Sequence, residues 1–142
     1  DLIPEEAGEW IDASTAYDLD RIFLVAPTST DERIKKTVDA TRGFVYAASR
    51  MGVTGLQTSV ESSAEDLVRR TREAGAPNVC VGIGVSNRDQ AQEVGRYADG
   101  VIVGSALVQT LVKNDGDTAA GLRELRQVAE DIAAGAHTTR EG

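Results

Sequence analysis

The segment Asp99-Gly100-Val101-Ile102-Val103-Gly104-Ser105-Ala106-Leu107-Val108 has the residue types from which a phosphate site is built. A short apolar strand stops at a glycine and passes at once into a helical pattern. Gly104 has no Cβ, so the backbone can come close to a ligand there. Ser105 is expected to cap the helix, with the following amides aimed at whatever sits above the strand. A helix start with unsatisfied N–H groups is a natural seat for an anion. Related glycine patterns stand upstream in Gly82-Ile83-Gly84 and Gly52-Val53-Thr54-Gly55. A strand-to-helix turn with a serine is a common structural device, and a glycine at a strand end can serve packing alone. Recurrence in one chain favours binding: several loops holding one anion. The Gly52 to Gly55 stretch lies in the longest loop, where two glycines suit a mobile lid.

Other chemistries are poorly served. There is no Walker lysine, no GxGxxG run and no His/Cys set at metal-ligand spacing. Cys80 sits in the apolar run Val79-Cys80-Val81 and reads as a small buried hydrophobe. His137 falls in a polar tail with no partner nearby in sequence. The formal net charge of −8 and pI near 4.6 argue against nucleic acid and anionic membrane surfaces as partners. No apolar run approaches membrane-spanning length and no signal peptide is visible, so a soluble cytoplasmic protein is expected. The 142 residues suffice for a single domain over 1–142, with 137–142 as a frayed tail. The chain opens on Asp1 without Met, which favours a fragment.

The elements that must position these loops follow from punctuation and periodicity. A helix is expected from about Pro4 to Ala16, then a strand over Arg21–Ala26 closed by Pro27. Thr28 to Asp31 offer caps for a helix to about Ala40, and Gly43–Ala47 is the second strand. After a loop from about Ser49 to Ser62, a helix opens at Ser63 and ends near Gly75. Val79–Ile83 is the third strand, followed by a helix from the Ser86–Asp89 caps to about Arg96. Gly100–Val103 is the fourth strand. A short helix then runs from Ser105 to about Val112, and a last one ends near Gly135.

Strict alternation of short apolar strands with helices predicts a parallel α/β sheet. Only 4% of the residues are aromatic, so the core must be Val, Ile, Leu and Ala, as in buried parallel strands. An open doubly wound sheet would set its phosphate loop chiefly after the first strand. Here the glycine signals follow the last three strands, and a short helix follows the last. That matches the phosphate end of a (β/α)8 TIM barrel, of which this chain has room for about the last four units, a half-barrel. Catalytic side chains in barrels stand at the C-terminal strand ends. Those positions here carry no Asp, Glu, His or Lys. Asp20 and Asp99 precede their strands and so lie on the stabilising face.

Tyr46-Ala47-Ala48-Ser49-Arg50-Met51-Gly52-Val53-Thr54-Gly55, Val81-Gly82-Ile83-Gly84-Val85-Ser86 and the Asp99 to Val108 segment resemble, in this order, the C-terminal half of the tryptophan synthase α subunit family. The resemblance implies a TIM-barrel lyase of tryptophan biosynthesis that cleaves indole-3-glycerol phosphate to indole and glyceraldehyde 3-phosphate. It implies that Gly55, Gly84, Gly104 and Ser105 hold the substrate phosphate. Tyr46, Gly82 and Ile83 would line the pocket, and Thr54 would help orient a catalytic carboxylate from the lid. Ile83 departs from the aromatic residue that many members carry there. The family's catalytic Glu and Asp belong to the first half, so no catalytic residue is expected in this segment, which should be inactive alone. No cofactor is implied, pyridoxal phosphate belonging to the partner β subunit. The expected partners are that subunit and either the N-terminal half or another copy. The alternative is a non-catalytic half-barrel that binds phosphate or a phosphosugar.

Overall fold

The computed structural model describes residues 1–49, 61–82 and 84–138, with the backbone only at 61–63. A 3-10 turn at Pro4–Glu6 leads into α1 (Gly8–Ala16). Strands β1 (Leu24–Val25), β2 (Val45–Ala48), β3 (Val79–Gly82) and β4 (Gly100–Val101) then alternate with α2 (Asp31–Ala40), α3 (Glu61–Glu73), α4 (Arg88–Gly95) and α5 (Ser105–Val112). Helix α6 (Thr118–His137) closes the chain.

The four strands form one sheet in the order β1-β2-β3-β4, every pair parallel. Each strand lies beside its sequence neighbour and the order never reverses. A doubly wound sheet requires such a reversal, whereas a barrel adds strands in chain order, so this is barrel architecture. All C-terminal strand ends lie on the same side.

Period-two alternation sorts the strand residues onto two faces. Val25, Val45, Ala47, Val79 and Val81 face the helices and pack with Ile34, Val38, Leu67, Val68, Ala91 and Val94. The alternate residues Leu24, Tyr46, Cys80 and Gly100 occupy the other face. That face carries no helix among the described residues, and Leu24 on it is 38% exposed. Cys80 is therefore half-buried on an open face rather than enclosed in the core. Its thiol is pushed up by burial and by the charge of Asp99, which keeps it protonated at neutral pH.

Capping explains several boundaries. Thr30 accepts a hydrogen bond from Arg33 N, Asn87 from Gln90 N and Asp117 from Ala120 N, each at a helix start. Other boundaries differ from expectation. Strand β1 pairs over only Leu24–Val25, because Arg21 is drawn aside into an isolated antiparallel bridge with Arg42. Its side chain is held there by Ala40 O, Ser14 Oγ and Thr15 Oγ1. Strand β4 is also shorter than expected, although Ile102 N continues the ladder with a 2.8 Å bond to Val81 O. Helix α3 starts two residues early, at Glu61. Helix α6 runs on through His137, whose Nδ1 lies 2.7 Å from Ala133 O, so the histidine has a local partner after all. Residues 139–142 of the expected tail lie outside the described residues.

Candidate phosphate site

The site is built at the C-terminal ends of β3 and β4. Strands β3 and β4 pair through Cys80–Gly100 and Val81–Val101, and Gly84 and Gly104 follow these two neighbouring strands. Gly84 has a φ of +95°, a conformation that side chains with a Cβ rarely adopt. Gly104 is different: its φ is −126°, and a Cβ there would meet nothing within 4 Å. The absence of a side chain at 104 is not demanded by packing. It leaves space above the start of α5.

The two helix starts are not alike. At α4, the Asn87 side chain takes Gln90 N at 3.0 Å, and Gln90 Oε1 takes both Ser86 N at 2.8 Å and Ser86 Oγ at 3.1 Å. Helix α4 is thus closed by its own side chains. At α5 the cap position is Gly104, with no side-chain cap bond. The backbone ladder begins at Gly104 O, which accepts from Leu107 N at 3.0 Å and Val108 N at 3.1 Å. The amides of Ser105 and Ala106 precede the first residue that can bond within the helix. The expectation that Ser105 caps α5 is corrected here: Ser105 is the first helical residue, and its exposed hydroxyl is not used as a cap. An uncapped helix start attracts negative charge through its partial positive end.

Tyr46 and Gly82, two further expected pocket residues, meet on the open face of the sheet. A Cβ on Gly82 would overlap the Tyr46 hydroxyl, lie 2.8 Å from Tyr46 Cζ and stand 2.9 Å from Ile102 Cβ. The glycine is what lets the tyrosine ring cross β3 at this level. Gly55, Thr54 and Ile83 lie outside the described residues.

The carboxylates that precede the strands are occupied structurally. Asp99 accepts Val79 N at 2.8 Å and pairs with Arg72 at 3.0 Å, and Asp20 lies 3.4 Å from Arg42. The described turns after the strands carry no Asp, Glu, His or Lys, and no group of residues among those described could hold a metal. One polar group at a strand top escaped the sequence reading. Ser49, which follows β2 and donates its amide to Gly82 O at 3.3 Å, buries its hydroxyl with no hydrogen-bond partner among the described residues. Nothing in the sequence marks it, because its burial depends on what packs around it.

A cavity of about 500 Å³ lies elsewhere, between α3 and Tyr97, lined by charged residues including Glu65, Asp66, Arg69 and Arg72. No described helix is long and apolar enough to cross a membrane.

Known proteins resemble this chain over most of its length. A family model described as tryptophan synthase alpha chain matches residues 1–137. The tryptophan synthase alpha chain of Bifidobacterium longum is 58% identical over 144 residues, covering 99% of this chain and 50% of the relative. That of Mycobacterium ulcerans is 58% identical over 135 residues, covering 95% and 48%. Among solved structures, a ligand-free tryptophan synthase from M. tuberculosis superposes with a TM-score of 0.80 at 48% identity, covering 96% of this chain and 48% of its own. The tryptophan synthase α2β2 complex of Pyrococcus furiosus superposes at 0.76 and 34% identity, covering 94% and 53%. The chain spans about half the length of the curated relatives it matches.

Proposed function

The chain belongs to the tryptophan synthase alpha chain family, and from that premise we propose that it supplies the phosphate-holding half of a lyase acting on indole-3-glycerol phosphate. The observation that carries the proposal is the uncapped start of α5 at Gly104-Ser105, after the strand that pairs with the one preceding the Gly84 turn. In this reading the backbone amides of Ser105 and Ala106 and the Ser105 hydroxyl donate to the phosphate oxygens. Gly104 and Gly84 leave room for it. Tyr46, held across Gly82, forms part of the apolar wall for the indole. Gly55, Ile83 and Thr54 complete the pocket and lid.

The reaction is a retro-aldol cleavage. The bond from indole C3 to the glycerol carbon breaks, the hydroxyl on that carbon gives up its proton as the aldehyde forms, and C3 gains one. The described strand tops of this chain carry no Asp, Glu, His or Lys to move those protons. They fall to carboxylates on the other half of the barrel, with Thr54 orienting one of them. This chain's share of catalysis is to grip the non-reacting end and fix the scissile bond in place. The grip needs no cofactor, pyridoxal phosphate belonging in this reading to a β-subunit partner that receives the indole. Tryptophan biosynthesis in the cytoplasm is the setting that follows.

Calorimetric titration of the full-length polypeptide with glycerol phosphate tests the grip. Saturable binding that Gly104→Val abolishes is expected. Because a Cβ at 104 meets nothing within 4 Å, the fold should survive the change. Indole release from indole-3-glycerol phosphate, assayed with the β subunit, tests the chemistry. Absence of binding in the folded wild type refutes the site. Binding without indole release points to the non-catalytic phosphosugar module instead.

A further inference from the structure

Helix α6 lies far along the chain from the Gly84 turn, yet one residue of it is fitted to the helix that follows that turn. Gly135 is buried, and a Cβ there would overlap Arg88 O, lie 3.0 Å from Arg88 C and stand 3.1 Å from Arg88 Cα. All three are backbone atoms of the first residue of α4, so no side-chain rotation can make room. The first turn of α4 is in turn bound to the segment after Gly84. Asn87 and Gln90 close on each other and on Ser86, and Val85, 2% exposed, is anchored in the core. A push at Arg88 therefore travels into the turn that carries Gly84.

The other end of α6 is keyed to α5. Gly121 sits against it, where a Cβ would stand 3.2 Å from Leu111 Cδ2 and 3.5 Å from Thr110 O. Glu124 takes Asn114 Nδ2 at 2.9 Å and pairs with Lys113 just past the end of α5. One helix thus spans the two helices whose starts flank the candidate phosphate.

We propose that Gly135 is a positioning residue: by letting α6 touch the backbone of α4, it sets the height of the Gly84 turn relative to Gly104-Ser105. The inference rests on the phosphate reading above but has its own structural readout. In the full-length polypeptide, Gly135→Ala is expected to weaken glycerol phosphate binding about tenfold, about 1.4 kcal/mol. In the coupled assay it should raise KM by a similar factor while kcat stays within about twofold, since remote misplacement of a binding group weakens the grip first. Gln90→Ala, which cuts the tie between α4 and Ser86, should move KM the same way. Gly121→Ala meets the flexible tip of Leu111 first and should leave KM unchanged.

Amide hydrogen exchange without ligand provides the independent measurement. Gly135→Ala should speed exchange across 84–91 more than across the β3 and β4 strands. A fall in melting temperature with unchanged exchange at 84–91 and unchanged phosphate affinity overturns the proposal, leaving Gly135 as a packing residue. Should Gly135→Ala fail to fold, Gln90→Ala decides by its KM and its exchange at 84–91. If the wild type binds no glycerol phosphate, the phosphate reading fails while the exchange result still tests the brace.

Discussion

Gly82→Ala is the sharpest perturbation of the open sheet face. The new methyl would overlap the Tyr46 hydroxyl, with Tyr46 Cζ at 2.8 Å and Ile102 Cβ at 2.9 Å. Neither neighbour yields easily. A tyrosine ring moves as a rigid plate, and Ile102 Cβ sits directly on the backbone of the next segment. Overpacking of this kind costs about 1–3 kcal/mol. Replacing glycine within a strand returns roughly 0.5–1 kcal/mol, because alanine has less freedom to lose on folding. The net expectation is a loss of about 1–2 kcal/mol. For a chain of 142 residues that corresponds to a melting temperature lower by roughly 3–8 °C. Urea denaturation followed by circular dichroism measures it. The decisive comparison is a double-mutant cycle with Tyr46→Ala, which removes the ring and two of the three overlaps. Gly82→Ala should then cost about 1 kcal/mol less than in the wild type, a coupling in the range expected for residues in contact. Strict additivity, or a stabilised Gly82→Ala single variant, would refute the claim that this glycine exists to let Tyr46 cross β3.

Ser49→Ala should stabilise the fold by about 1 kcal/mol, because a buried hydroxyl without a partner carries its desolvation penalty uncompensated; a lower urea midpoint for the variant would show that the hydroxyl is satisfied. Asp99→Ala should cost about 1–3 kcal/mol, since it orphans the amide of the fully buried Val79. Asp99→Asn, which keeps an acceptor, should cost less, and Arg72→Ala, losing a half-exposed ion pair, about 0–1 kcal/mol; equal losses in all three would contradict this ranking. Burial first, then the charges of Glu93 and Glu65, push the Tyr97 phenol up from 10.0 to about 12. The folded state therefore holds that proton where the unfolded chain releases it, so this contribution is intact below pH 10 and is lost as pH rises toward 12. Urea midpoints taken across that window should fall less steeply for Tyr97→Phe than for the wild type, and parallel curves would rule the contribution out.

The order of elements was legible because each helix and strand carries its own punctuation. Thr30, Asn87 and Asp117 cap where polar residues precede a helical pattern, and Gly75 with its φ of +105° follows the end of α3 as a helix-stopping glycine should. Local chemistry of that kind survives folding unchanged. What could not be read depends on neighbours distant in sequence. The pattern Gly104-Ser105-Ala106 is compatible with a cap at either 104 or 105, and only the course of the backbone decides it. The shortening of β1 reflects Arg21, whose partners lie on α1 and α2. Cys80 reads as core from its apolar flanks, yet alternation puts it on the face that no described helix covers. In the site, Gly84 and Gly104 were visible as glycines at strand ends. The contact of Gly135 with α4 was not visible, since a glycine inside a helix looks like a weakness until the approaching backbone is seen.

The contrast between the two helix starts narrows where an anion can sit. Side chains that cap α4 satisfy donors that would otherwise face a ligand, so that helix contributes mainly the shape of the Gly84 turn. Helix α5 keeps its first amides and the Ser105 hydroxyl uncommitted to a cap. A phosphate should therefore lie closer to Ser105 than to Ser86, in the space that Gly104 leaves open. The chain as a whole carries a formal net charge of −8, so its long-range field opposes an anion. In the proposed reading, binding rests on dipoles within one helical turn of the ligand, where solvent ions screen least and geometry matters most. This is why misplacing a backbone segment by a methyl group at Gly135 should register in affinity: a grip made of short-range dipoles loses strength as soon as they are moved.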